Sequence, residues 1–363
     1  MIYLALFILL IALIRFFTAL INFIFTQPLK TFGNENQGLV SILIPARNEE
    51  NNIGKLLNDV ENQTYDNIEV IVFNDMSTDN TAEIVNSYSQ WNSKIRLVNS
   101  LGLPDNWLGK NHACHSLASL AKGDYLLFLD ADVSISGDVI ERAVSTAKKF
   151  NLGLLSVFPV QIMITPGEKI TVPNMTNILL SLLPLVFVRI SWFSSHSAAN
   201  GQFMLFERER YLKHMPHQKF KMNRVEDIEI ARFYKKSKIK IACITGVKDI
   251  KCRMYSGFNE AVNGFSKNVV NFFGNSFILA ITYWLLTTFG FIFVLIALPI
   301  EVFVLYLAMI VLTRIMISVS AKQNISDNFL YAVPQQISLG IFIFKAVSNK
   351  FKKNLEWKGR NIY

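Results

Sequence analysis

Two carboxylates one residue apart, Asp130 and Asp132 around Ala131, close the apolar run 125–129. Such a pair at the carboxyl end of a buried strand suits a divalent metal that also holds a diphosphate. Mg²⁺ and Mn²⁺ take oxygen ligands and share their coordination between one or two carboxylates and substrate phosphates. Acidic pairs are common in surface turns, so the triplet gains meaning only from the side chains that accompany it. Arg47 and Glu49 follow Pro45, after the apolar run 39–45. Asp75 follows the run 68–73 and opens Asp75-Met76-Ser77-Thr78-Asp79-Asn80-Thr81. Lys110 ends the stretch Trp107-Leu108-Gly109-Lys110. A carboxylate such as Asp75 can accept hydrogen bonds from a base or ribose, and Lys110 can offset pyrophosphate charge. Asp79 is explained by capping of the helix that follows.

These residues need a scaffold that brings strand ends together. Runs 39–45, 68–73, 95–98 and 125–129 read as strands, the first stopped by Pro45. Segments 51–62, 78–90 and 110–121 read as the helices between them. This alternation predicts a doubly wound α/β domain, mostly parallel, with helices on both faces and ligands at the carboxyl edge of its sheet. Beyond the fourth strand the pattern loosens. Segment 175–193 is apolar but contains Pro184 and Arg189, and it reads as an interfacial or substrate-groove element.

The composition places this domain at a membrane. Of 363 residues 51% are hydrophobic, and the mean hydropathy is +0.31. The excess lies in three apolar runs, 2–25, 277–298 and 302–319, each close to the length that crosses a bilayer. The first lacks a basic flank and an A-x-A cleavage site, so it reads as a retained anchor rather than a signal peptide. The expected organisation is a transmembrane helix at 1–26, a catalytic domain at 39–267 and two transmembrane helices within 275–319. A re-entrant, interfacial or transmembrane segment at 329–347 and a basic cytoplasmic tail at 348–363 complete it. The net charge is +9, with the basic residues gathered at 213–240, 248–253 and 345–360. Cations beside membrane segments mark the cytoplasmic face, so the domain is expected in the cytoplasm of a multi-pass cell-membrane protein and nucleic acid is not an expected partner. Three scattered cysteines form no disulfide framework, which fits a reducing compartment.

The chain resembles the membrane-bound inverting glycosyltransferases of family 2, with the GT-A fold. The pieces that carry the resemblance are P-A-R-N-E-E from Pro45, N-D-x-S-T-D-N-T around Asp75, the D-A-D triplet, and Glu226-Asp227. It is more narrowly similar to carotenoid- and hopanoid-associated members. That likeness rests on W-x-G-K-x-x-A from Trp107, G-Q-F from Gly201, R-M-Y-x-G-F from Arg253 and W-K-G-R-x-x-Y from Trp357. The resemblance implies a Rossmann-like domain with a donor-binding half at 39–135 and an acceptor and catalytic half at 136–267. It assigns Pro45, Arg47, Glu49, Asp75 and Lys110 to the nucleotide, Asp130 to ribose, phosphate and metal, and Asp132 to the metal. It assigns the catalytic base to Asp227, and makes Arg253 a candidate for the diphosphate. On the acceptor side stand Glu226, Gly201 and Gln202, whose amide beside a glycine can read sugar hydroxyls at close approach. The donor is a nucleotide-diphosphate sugar, a UDP-sugar by family habit.

The activity this implies is transfer of a sugar to a hydroxyl or carboxyl of a membrane lipid, carotenoid or other isoprenoid favoured, with a polyprenyl phosphate or diacylglycerol as the alternative acceptor. A processive synthase is disfavoured: Cys252-Arg253-Met254-Tyr255 stands where such enzymes carry Q-x-x-R-W. A non-catalytic nucleotide-sugar-binding scaffold would be expected to lack Asp132 or Asp227, and both are present. A nicotinamide-dependent oxidoreductase fails because no G-x-G-x-x-G follows the first strand. His112, Cys114 and His115 have no partner pair that would complete a zinc site.

Overall fold

The structure is a computed structural model and describes residues 1–33, 38–352, 356–357 and 360–361. The chain forms two compact units. One, the sheet unit, comprises Gln27–Val160 and Leu185–Cys252. The other, the apolar-helix unit, comprises Met1–Thr26, Gln161–Pro184 and the described residues from Arg253 onward.

The sheet unit is built on strands β1 (Val40–Ala46), β2 (Ile68–Asn74), β3 (Ile95–Asn99), β4 (Tyr125–Leu129), β5 (Val133–Ile135), β6 (Leu154–Gln161), β7 (Phe203–Glu207) and β8 (Ile241–Cys252). Their order across the sheet is β3-β2-β1-β4-β7-β6-β8-β5. β1 pairs in parallel with β2 and β4, and β2 in parallel with β3. Strands of this kind are covered on both faces, which is why β4 reads as an unbroken apolar run, and β1 as one broken only by Ser41, rather than as alternating strands. Ile42, Ile44, Val72, Leu127 and Leu129 lie in the unit's main core. The helices between these strands are Ile53–Glu61, Thr81–Trp91 and Gly109–Leu120. Beyond the acidic triplet the pairing changes sense: β7 is antiparallel to β4, β6 to β7, and β5 to β8. The sheet is therefore parallel in its first half and mixed as a whole.

Pro45 does not stop β1, which continues to Ala46. β4 pairs only with Val40 to Leu43, so Pro45 lies past that ladder and needs no donor towards β4. Segment 175–193 is not one element. The Pro173–Leu182 helix belongs to the apolar-helix unit and the Leu185–Ile190 helix to the sheet unit, the division falling after Pro184.

Among the described residues of the apolar-helix unit three helices are long and apolar enough to cross a membrane: Ile2–Ile24, Phe277–Ala297 and Ile300–Ser320. The Ala332–Lys352 helix follows them and takes in most of segment 329–347. Its Gln335 is buried: the side-chain oxygen accepts from Arg314 Nη1 at 2.8 Å and the nitrogen donates to the Lys169 carbonyl at 2.9 Å. Gln336 donates to Thr287 Oγ1 at 2.7 Å. Gln335 and Gln336 thus find their partners within the apolar-helix unit itself. Glu356–Trp357 and Arg360–Asn361 pair antiparallel. The rest of the expected W-K-G-R-x-x-Y tail lies outside the described residues.

Candidate active site

The candidate residues of the sheet unit gather at the carboxyl ends of β1, β2 and β4 because neighbouring parallel strands end side by side. The two loops after β1 and β2 are tied together. Arg47 Nη1 donates to the carbonyls of Asp75 at 2.6 Å and Met76 at 3.2 Å. The Glu49 amide donates to Thr81 Oγ1 at 2.8 Å, and the Thr78 amide to Asn48 Oδ1 at 2.9 Å. Asp79 receives the Glu50 amide at 3.0 Å through one oxygen and the Thr81 amide and hydroxyl at 3.1 and 2.5 Å through the other. Burial would raise its pKa, but these donors outweigh burial and hold it below the usual carboxylate range. Asp79 therefore holds two loops as well as the helix start. Asn48 (φ 52°) and Met76 (φ 57°) adopt left-handed backbone conformations within these turns. Buried Asp75 sits between them, its amide donating to the Ala46 carbonyl at 2.8 Å.

The acidic triplet meets Gly201-Gln202 through register. Leu129 pairs with Phe203, and the Asp130 amide donates to the Gln202 carbonyl at 3.2 Å. Both Asp130 oxygens contact Lys110 Nζ, at 2.6 and 2.7 Å. Lys110 stands in the first turn of its helix, where a cation is disfavoured by the helix dipole. Burial also works against its charge, yet Asp130 and then Glu226 more than compensate and hold its pKa above the ordinary lysine range.

Glu226 and Asp227 open the Glu226–Lys236 helix, where the dipole favours carboxylates. Asp227 accepts from the Gly201 amide at 3.0 Å and the Ile228 amide at 2.8 Å. Gly201 permits this approach: a Cβ there would lie 3.2 Å from Lys110 Nζ and 3.6 Å from Glu226 Oε1. Burial raises the pKa of both carboxyls. Lys110 opposes this at Glu226, as do the two amides and Lys110 at Asp227, without cancelling it.

Asp132 points to a ligand of a different kind. Its Oδ1 is buried with no hydrogen-bond partner among the described residues. Burial, then the charges of Asp130 and Glu49, push its pKa up against a hydrogen bond from the Cys252 thiol. An unsatisfied buried carboxylate oxygen beside a second carboxylate fits an oxygen-seeking divalent cation. No group of three or more His, Cys, Asp or Glu converges on one point among the described residues. The protein would thus supply part of a coordination sphere and leave the rest to diphosphate oxygens and water.

Gln202 is buried, and its nitrogen donates to Cys252 Sγ at 2.9 Å while its oxygen has no partner among the described residues. Arg253 belongs to the apolar-helix unit, where it pairs with the fully buried Glu168, Nη2 to Oε1 at 2.7 Å. His112 and His115 pack on Trp107, at ring-centroid distances of 5.6 and 5.2 Å, so they serve the aromatic packing of their helix.

Two residues escaped the sequence reading. Cys252 is brought beside the triplet because it pairs with Val133 across β5 and β8. Asn111 is buried and donates to the carbonyls of Phe220, Lys221 and Asn223 at 3.0, 3.2 and 2.9 Å, fixing the segment that leads to Glu226. Both act through long-range pairing that sequence spacing does not carry. Asn111 alone had a signal, a polar residue next to Lys110 in the first turn of its helix.

The family model described as "Glycosyl transferase family 2" matches residues 41–230. The chain belongs to this family. Among relatives, the 4,4'-diaponeurosporenoate glycosyltransferase of Staphylococcus haemolyticus (strain JCSC1435) is 28% identical over 233 residues, 63% of this chain and 60% of that protein. The chain thus spans about 60% of that relative's length. The protein of the same description from Staphylococcus aureus (strain USA300) is 29% identical over 258 residues, 69% of this chain and 67% of that one. The solved structure of the mannosyltransferase PcManGT from Pyrobaculum calidifontis, in complex with GDP-Man and Mn²⁺, superimposes with a TM-score of 0.56 at 15% identity. That match covers 96% of this chain and 99% of the other, and it identifies the fold as GT-A. Family 2 membership and this fold agree with the resemblance drawn from the motifs.

Proposed function

We propose that this family 2 member transfers a sugar from a nucleotide-diphosphate donor to a lipid acceptor held in the membrane, at the cytoplasmic face. The observation that carries the reading is the cluster of Asp130, Asp132, Glu226 and Asp227 around Lys110, at the strand ends of a GT-A sheet. In this reading Pro45, Arg47, Glu49 and Asp75 form the nucleotide side. Asp130 and Asp132 would hold Mg²⁺ or Mn²⁺, which when bound offsets the charge of the departing diphosphate. The fold neighbour with GDP-Man and Mn²⁺ supports a metal and leaves the choice of nucleotide base open. A UDP-sugar is the favoured donor.

Transfer proceeds by direct displacement. The acceptor oxygen attacks the anomeric carbon, the bond from that carbon to the diphosphate oxygen breaks, and configuration inverts. Asp227 takes the acceptor hydroxyl's proton as the bond forms. Its two amide donors fix the carboxylate, and its raised pKa makes it a stronger base than an exposed aspartate. Lys110 holds Asp130 and counters the carboxylate cluster before the donor enters. Glu226, Gly201 and Gln202 line the acceptor side, and Arg253 is a candidate for the diphosphate.

The relatives' name denotes a carotenoid carboxylate, which supports an isoprenoid acceptor here. The test is a turnover assay in membranes carrying the protein, with labelled UDP- and GDP-sugars and mass identification of the lipid product. Label in a carotenoid or triterpenoid, lost in Asp132→Asn, is the expected result. Label in polyprenyl phosphate or diacylglycerol replaces the acceptor, and no label with any donor and acceptor overturns the reading.

A further inference from the structure

After the Leu185–Ile190 helix the sheet unit turns apolar side chains outward. Ile190, Trp192 and Phe193 are 58%, 67% and 72% exposed. Exposed apolar surface costs about 25 cal/mol per Å² against burial, and a contiguous patch usually marks an interaction surface. The loop has not simply failed to fold inward. The Lys235 ammonium, buried beneath it, donates to the carbonyls of Phe187 at 2.9 Å, His196 at 2.7 Å and Phe193 at 3.5 Å. His196 Nδ1 and Ser191 Oγ lie 2.8 Å apart, and the His196 amide donates to the Phe193 carbonyl at 3.0 Å. The aromatic side chains are therefore held out by a fixed backbone.

Cations surround them. A cavity of about 590 Å³ opens between Trp192 and Phe193 on one side and Lys235, Lys236 and Lys238 on the other. Lys240 lines the adjoining depression, and neither holds an Asp or Glu in its lining. Lys236, Lys238 and Lys240 are exposed. An indole and a phenyl ring beside exposed lysines match the two layers of a lipid interface: acyl chains for the rings, phosphates for the ammonium groups. Among the described residues three helices are long and apolar enough to cross a bilayer, which would bring this chain to a lipid surface.

We propose that this patch docks on an anionic bilayer, with Ile190, Trp192 and Phe193 entering the acyl boundary and Lys236, Lys238 and Lys240 meeting lipid phosphates. The docking is separate from glycosyl transfer, and its test reads no turnover.

The native cysteines Cys114, Cys243 and Cys252 are buried, so one introduced thiol can be labelled selectively. Full-length Phe193→Cys carrying an environment-sensitive fluorophore is reconstituted into phosphatidylcholine vesicles with and without phosphatidylglycerol, with brominated acyl chains as quenchers. Trp91→Cys, at a site 88% exposed in the same unit, is the control. The expected result is blue-shifted, bromine-quenched emission at 193 and neither at 91. Quenching should strengthen with phosphatidylglycerol and weaken in high salt or in the combined Lys236→Glu, Lys238→Glu, Lys240→Glu variant. Equal emission at 193 and 91 overturns the proposal. Quenching indifferent to anionic lipid and to charge reversal overturns the phosphate contacts. A blue shift without quenching that grows with protein density assigns the patch to a second copy of the chain, and overturns it as well.

Discussion

Asp227 is a half-buried carboxyl at a helix start, with its pKa raised by desolvation and its oxygens fixed by two amides. A base must be ionised to accept a proton, so turnover should rise with pH through this raised pKa. The acid limb of kcat is expected above the usual carboxylate range, and Asp227→Asn should lower kcat by about a hundredfold or more while donor affinity is kept. A pH–rate profile beside a donor-binding titration checks both. The profile also bears on the acceptor, because a carboxylate acceptor brings no proton. A flat profile with turnover retained in Asp227→Asn would mean ester formation, with Asp227 serving some other purpose. Asp132 answers to a different measurement. Its unsatisfied oxygen predicts that Asp132→Asn loses the metal-dependent part of donor binding, seen as equal donor affinity with and without Mn²⁺. Metal-stimulated binding in that variant would remove Asp132 from the metal site.

At the scale of elements, the candidate site depends on loops that hold one another. Asp79 joins the turn after β1 to the helix after β2 through three donors, so Asp79→Ala should loosen the nucleotide side without touching the reacting atoms. Each lost hydrogen bond to a charged group is worth about 1.5–3 kcal/mol. The expected outcome is a donor KM raised several-fold or more with kcat little changed, measured by steady-state kinetics. A loss confined to kcat would contradict it. The same scale explains what the sequence made legible. The parallel half was readable because each apolar run is local and each loop residue follows its own strand: Arg47, Asp75 and Asp130 could be placed at one edge from spacing alone. The antiparallel half was not, since it depends on which distant segments pair. Leu129 meets Phe203 and Val133 meets Cys252 across long loops, and only this pairing brings Gly201, Gln202 and Cys252 to the triplet. Motif resemblance named Gly201 and Gln202 before any geometry did; Cys252 stood only as a neighbour of Arg253.

The whole molecule is interleaved. The chain passes between the units after Thr26, Val160, Pro184 and Cys252, so the stretch 161–184 is bounded in sequence by the sheet unit but packs with the apolar helices. Glu168 in that stretch is fully buried and receives Arg253, and Asn174 donates to Ser338 Oγ at 2.8 Å. Val172 and Ile178 share a core with Phe265, Leu339 and Phe342. The continuous segment 39–267, which the sequence alone suggests as the catalytic domain, therefore carries apolar and polar groups whose partners lie beyond it. Cutting there removes Ser338, Leu339 and Phe342 and exposes apolar surface at about 25 cal/mol per Å². Expressed alone, 39–267 should remain bound to detergent or aggregate. A fragment in which 161–184 is replaced by a short polar linker and which ends at Cys252 should stay dispersed. Sedimentation of both fragments, with and without detergent, decides the matter. A monodisperse, detergent-free 39–267 would mean that 161–184 can be satisfied within the sheet unit. If the linker fragment alone is soluble and still binds the nucleotide of the donor sugar, the nucleotide side of the site folds without the apolar-helix unit, which leaves to that unit the acceptor and the Arg253 candidate for the diphosphate.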